Sequence, residues 1–183
     1  MTTAGEDRPG ATGEATSPVA ARRRRRIWTA LEIALVVVVA DQVTKSLAVS
    51  GLSSGAVHLI GPFSLQLSYN TGVAFSIGTG LTLPIVLIVV VVVVLVAWFG
   101  RAVPNSAAAV GIGMILGGAI GNLADRLFRS HHGAVVDFIY SGFWPTFNVA
   151  DASIVCGCAV LGIGLWRSGA SRPSPGREGE GAR

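Results

Sequence analysis

The stretch from Gly117 to Asp151, GGAIGNLADRLFRSHHGAVVDFIYSGFWPTFNVAD, joins the end of one long apolar run to the start of another. The first run closes at Asn122-Leu123-Ala124-Asp125-Arg126, and the second opens at Phe147-Asn148-Val149-Ala150-Asp151. Between them a polar connection carries a third aspartate, Asp137, flanked by Val135, Val136, Phe138 and Ile139. Three carboxylates therefore gather where two apolar segments meet water on one side. Ionisable groups at membrane depth are costly and mark function by default. Asp125, followed at once by Arg126, reads equally well as a structural carboxylate held by the neighbouring guanidinium. Asp137 has no adjacent cation, and Asp151 lies a few residues inside an apolar helix. Two carboxyls sharing one proton activate water against a peptide bond. The residues alone leave Asp151 with two candidate partners: Asp125 has the better depth, Asp137 the better electrostatic setting.

Composition sets the class. Of the 183 residues 51% are hydrophobic and only 13% charged, with mean hydropathy +0.61. Soluble domains carry about 25% charged residues, so the chain reads as an integral membrane protein. The basic balance (net +4, pI ≈ 9.8) is no nucleic-acid signal. Five of the 14 basic residues form the block Arg22–Arg26 directly before the first apolar run, which is a topology signal. Cys156 and Cys158 read as small buried hydrophobes in the last apolar run, implying neither disulfide nor metal.

Four spans follow from the apolar runs, at about 27–49, 81–99, 106–124 and 147–166. Residues 1–26 and 167–183 read as disordered tails. The first apolar run resembles a signal peptide but lacks a small-x-small cleavage site soon after it, so it reads as a retained helix. In it Asp41 and Lys45 are spaced i,i+4 and can pair on one face. Asp41 lies about 21 Å beyond Ile27, in the far third of a bilayer. Glu32, nearer the other end, reads as snorkelling towards the arginines. Residues 50–80 alternate: Phe63, Leu65, Leu67 and Tyr69, a turn at Asn70-Thr71-Gly72, then Val73, Phe75 and Ile77. They predict a small hairpin or curved sheet on the outer membrane face. The valine-rich second span offers no chemistry and reads as scaffold. Gly113, Gly117 and Gly121 form a small-residue face for close helix approach, with Gly118 and Asn122 on a neighbouring face. Asn148 and Asp151, three apart, share a face. Sorting the basic residues by side puts both termini in the cytoplasm and the aspartates outside. His131-His132 lacks a third ligand at usual spacing and reads as solvated, with no metal. Two other function classes remain in view: a small transporter using Asp41–Lys45 as an ion relay, and a non-catalytic assembly factor using the glycine face.

DQVTK (41–45), YNTGVAFS (69–76), GGAIGNLADR (117–126), VVDF (135–138) and FNVAD (147–151) together resemble the five blocks of the lipoprotein signal peptidases, or signal peptidase II, in that family's order. The resemblance implies a membrane α-helical fold of four transmembrane helices with a small extracytoplasmic β-cradle. It implies an aspartic endopeptidase of the bacterial cytoplasmic membrane, a monomer needing no cofactor. Its partners would be membrane lipids and diacylated prolipoproteins, cleaved before the lipidated cysteine. On the matching positions the catalytic pair is Asp137 and Asp151. The supporting residues are Asp41, Lys45, Asn70, Gly118, Asn122, Asp125, Arg126 and Asn148. The loop Leu127–Ala134 is longer than the family's usual spacing and carries the two histidines.

Overall fold

A computed structural model describes residues 17–71, 90, 94, 98, 104–129, 131 and 133–170. Among these, three helices are long and apolar enough to cross a membrane. They are α1 (Pro18–Gly51), α2 (Ser106–Phe128) and α3 (Val149–Ala170). A three-stranded antiparallel sheet accompanies them, β1 (Val57–Ile60), β2 (Phe63–Asn70) and β3 (Val135–Tyr140), in the order β1-β2-β3. Of the expected span 81–99, Val90, Val94 and Trp98 are described, each helical; the rest lies outside the described residues, as does the return strand expected at 73–77.

Helix α1 begins nine residues earlier than expected, so residues 18–26 are helix and not disordered tail. Ser17 caps it by accepting the Ala20 N–H, and Pro18 opens it, where a missing N–H costs nothing. The arginines that follow are good helix formers. Residues 167–170, also expected as tail, complete α3. Asn105 ties α2 to α3 at this end of the bundle. Its Oδ1 caps α2 at Ala108 N (2.9 Å), while its Nδ2 donates to Gly164 O and Ser168 Oγ, both at 2.6 Å.

Glycines set the helix spacing. A Cβ on Gly113 or Gly117 would meet the Ala30 or Ala34 carbonyl of α1 at 2.5 and 2.7 Å. On Gly121 it would strike Asp41 Oδ2 at 2.6 Å. These contacts ascend both helices together, so α1 and α2 run the same way. On the other side, Gly111 lies against Leu161 and Gly118 against Ala150, so α3 runs antiparallel to α2. Between the helices the core is small-residue: Ala30, Ala34, Ala108 and Ala109, with Ile112 and Leu116.

Where the helices end, a second core of Ala48, Leu52 and Phe138 seats the sheet, with Leu65, Leu67, Ile139 and Val149 packed around it. Asp137 is therefore on a strand, not in a polar connection. Beyond β3 the chain turns at Gly142 (φ +86°), where the Pro62 side chain leaves no room for a Cβ. It returns along β3 as an isolated bridge, Phe147 to Ile139. That bridge delivers Asn148 and the start of α3 to the side of Asp137.

Cys156 and Cys158 are exposed on the outer surface of α3 and not buried. Gly157 between them faces α2, 2.8 Å from the Gly111 carbonyl at its Cβ position, which turns both neighbours outward.

Candidate active site

The C-terminal parts of α1 and α2, strand β3 and the start of α3 meet around one buried polar network. Asn148 is its centre. It stands immediately before α3, and its Oδ1 accepts the Asp151 N–H at 2.9 Å while Asp151 Oδ2 accepts the Asn148 N–H at 3.2 Å. This reciprocal capping satisfies two donors at the helix start and fixes the Asp151 carboxylate relative to the backbone. Asn148 Nδ2 also donates to Asp137 Oδ1 at 2.7 Å, so one side chain spans both aspartates. The second Asp151 oxygen accepts Asn122 Nδ2 at 2.8 Å, and the second Asp137 oxygen accepts Asn70 Nδ2 at 3.2 Å. Asn70 pairs with Val135 in the sheet, which sets its side chain diagonally beside Asp137 on one face.

Asp137 is 2% exposed. Burial pushes its carboxyl up to about pH 7, and the Asp151 charge adds to the shift. The Asn70 and Asn148 donors oppose it. Asp151 is half-buried in the first turn of α3, where the helix dipole favours negative charge.

Behind the pair lies an ion cluster. The Lys45 ammonium is fully buried and meets Asp41 Oδ2 at 2.8 Å, Asp125 Oδ2 at 2.9 Å and Asn122 Oδ1 at 2.9 Å. Asp41 Oδ1 accepts the Ala150 N–H at 2.9 Å, holding α1 to the start of α3. Asp125 Oδ2 accepts the Val136 N–H at 3.1 Å, which fixes the strand one residue before Asp137. Asp125 is held by Lys45 and, one turn on, by Arg129 (2.8 Å), where the sequence suggested Arg126. Adjacent residues on a helix point about 100° apart, so i,i+1 neighbours do not face each other. Arg126 instead donates to the Asn122 carbonyl at 3.2 Å and lies within electrostatic reach of Asp151 and Asp137.

The fold thus brings together Asp41, Lys45, Asn70, Asn122, Asp125, Arg126, Asp137, Asn148 and Asp151. Gly118 stands apart, in the α2–α3 contact. Its Cβ position collides with the Ala150 carbonyl and lies 2.7 Å from Ile154, so it acts through helix approach. Gly118→Ala should cost about 1–3 kcal/mol, the usual toll of overpacking. Thermal unfolding of the purified variant checks this; an unchanged midpoint would mean that α3 yields freely.

Two residues of the network escaped the sequence reading. Gln42 Nε2 reaches Asp41 Oδ2, Gly121 O and Asp125 Oδ1 at 3.0–3.2 Å. Arg129 adds to its Asp125 contact donations to Gln42 O, Gln42 Oε1 and Ser46 Oγ at 3.2–3.3 Å. The i,i+4 spacing of Asp125 and Arg129 was the available signal for one of them. His131, in the long loop, rests against Tyr69 with ring centroids 4.4 Å apart; His132 lies outside the described residues.

The family model "Signal peptidase (SPase) II" matches residues 33–167. A Mycobacterium leprae lipoprotein signal peptidase is 49% identical over 142 residues, covering 75% of this chain and 71% of that protein. A Mycolicibacterium smegmatis lipoprotein signal peptidase is 44% identical over 156 residues, 82% of this chain; the chain spans 66% of that relative's length. Among solved structures, a bacterial membrane enzyme determined by the in meso method at 2.3 Å superposes with a TM-score of 0.72 at 27% identity. That match covers 83% of this chain and 96% of the other. A second, at 1.9 Å, gives 0.67 at 29% identity over 76% and 93% of the two chains.

Proposed function

The chain belongs to the signal peptidase II family, and from that premise we propose that it is an aspartic endopeptidase with Asp137 and Asp151 as its catalytic pair. Its substrates are diacylglyceryl-modified prolipoproteins, cleaved before the lipidated cysteine. The observation that carries the assignment of the pair is Asn148, which bonds to both aspartates at once. Asp125, the rival partner, has both carboxylate oxygens engaged by Lys45, Arg129, Gln42 and the Val136 N–H. It acts as a bracket between α2 and β3.

In the mechanism, Asp151 is ionised and Asp137 carries the shared proton. Water lies between the two carboxyls. Asp151 takes its proton as oxygen attacks the scissile carbonyl, and Asp137 donates to the developing oxyanion or the leaving amine. Asn122 and Asn148 hold the pair in register, and Arg126 supplies positive charge beside it. The lipid anchor of the substrate stays in the bilayer and delivers the cleavage site, a proximity effect. The relay reading weakens at Lys45, whose ammonium is fixed by three acceptors. Helices α1 and α2 run the same way and α3 runs against them, so the start of α1 and the end of α3 lie on one side, which we assign to the cytoplasm from the exposed arginines there. Both termini are then cytoplasmic and the pair extracytoplasmic.

The test is purified full-length chain incubated with a diacylated lipobox substrate and, separately, with its unmodified form. Cleavage should occur only in the first, with product masses placing the cut before the cysteine. Equal turnover of the unmodified substrate would sink the lipid requirement.

The pH profile should follow Asp137. Its raised value means that the proton needed for donation is held below about pH 7 and lost above it. Turnover should fall on the alkaline side, about tenfold per pH unit. The apparent midpoint belongs to the pair. Folding shows the same sign: a carboxyl raised above its unfolded value adds stability at low pH that is lost as pH rises through about 7. Asn70→Ala removes a donor that favours the charged form, so it should move the alkaline limb to higher pH. A limb that stays in place, or moves down, would count against Asp137 as the acid.

A further inference from the structure

The first two turns of α1 are not used by the peptidase reading. Arg22–Arg25 are exposed, the first turn holds no acidic residue, and Trp28, one turn deeper, is 53% exposed. The helix is unbroken from these residues into the apolar span, so they stand at a fixed height on the bundle. That height follows from packing. Gly113 meets Ala30 and Gly164 meets Ala108, which puts the arginines level with the first turn of α2 and the last turn of α3, where Arg167 is exposed. One end of the bundle is thus basic, and the aspartates lie at the other. On α1, Ala20, Ala21, Arg24, Arg25 and Trp28 line one open recess of about 450 Å³.

We propose that this face binds the headgroup of an anionic phospholipid, with Arg24 and Arg25 on the phosphate and Trp28 at the boundary with the acyl chains. A guanidinium offers paired N–H donors to phosphate oxygens, and an indole settles at the membrane interface with its polar edge outward. A basic cluster beside a membrane span attracts anionic lipid. Arg24 and Arg25 lie four and three residues before Trp28 and line the same recess with it, so a single headgroup reaches all three. The inference does not rest on the peptidase reading.

The test uses purified full-length chain in neutral detergent and native mass spectrometry with phosphatidylglycerol or phosphatidylcholine. The wild type should retain phosphatidylglycerol preferentially. Arg24→Gln with Arg25→Gln should weaken that retention about thirtyfold at low salt, from the general worth of two basic residues at an anionic surface. Equal retention of both lipids by the wild type, or an unchanged double variant, would overturn the proposal. So would inorganic phosphate displacing the lipid at matched concentration, which would reveal a site for free anions. If the double variant does not fold, salt decides on the wild type: the preference should collapse as ionic strength rises, and a salt-independent preference would count as refutation.

Discussion

Asp137→Asn should abolish cleavage, and so should Asp151→Asn, each by a factor on the order of ten thousand, the scale of losses when one member of a catalytic unit is removed. Asparagine keeps the shape of aspartate but neither accepts a proton from water nor donates a carboxylic proton. At Asp137 the swap keeps one acceptor, for Asn148 Nδ2, and turns an NH2 toward Asn70, whose amide must flip to accept it. At Asp151 it keeps one acceptor for the Asn148 N–H, so the capping survives, while its NH2 meets the Asn122 donor and that contact is lost. Both variants should therefore insert, fold and bind substrate. The double variant should be little worse than either single one, because the two act as a unit. Asp125→Asn is the comparison. It breaks contacts to Lys45 and Arg129 and should lose stability while keeping measurable turnover. Single-turnover cleavage by all three variants at matched membrane levels decides. Activity surviving in Asp137→Asn but absent from folded Asp125→Asn would move the catalytic role to Asp125.

The second large effect is structural. Lys45→Met should leave Asp41 and Asp125 facing each other, both fully buried, with their shared ammonium gone. Removing one partner of a buried ion pair costs about 3–5 kcal/mol; here Asp41 is the charge left uncompensated, since Asp125 keeps Arg129. The variant should fail to accumulate or should unfold at much lower temperature, and a second change, Asp41→Asn, should recover part of the loss. A Lys45→Met protein as stable as the wild type would show that water or another cation reaches the cluster. The contrast with Asp137→Asn separates a residue that holds the site from one proposed to perform the reaction.

What could be read in the sequence was mostly local. Asp41 and Lys45 pair as their i,i+4 spacing suggested, and the stripe of Gly113, Gly117 and Gly121 faces another helix as its period suggested. Strand β3 escaped because four of its six residues are buried. A strand covered on both faces shows no alternation and reads only as a short apolar run. The orientation of Cys156 and Cys158 escaped for the matching reason. In a helix surrounded by lipid the outward face is as apolar as the inward one, so hydropathy carries no sidedness. Gln42 was missed because what recommends it is the company of residues about 80 positions away in sequence, whereas Arg129 carried a local signal in its i,i+4 spacing from Asp125. The resemblance to a family selected Asp137 over Asp125. In the structure Asp125 is held by two cations, Lys45 and Arg129, and Asp137 by two neutral amides.

The charge pairs also bear on how such a chain is made. Asp41 contacts Lys45 and Asp125 contacts Arg129, each pair four residues apart on a single helix, while Lys45 to Asp125 is the contact that crosses between helices. Each aspartate therefore has a counter-ion from its own stretch of chain, Lys45 within α1 and Arg129 at the end of α2. Within α1, Asp41 thus has its counter-ion beside it whether or not α2 is yet in place.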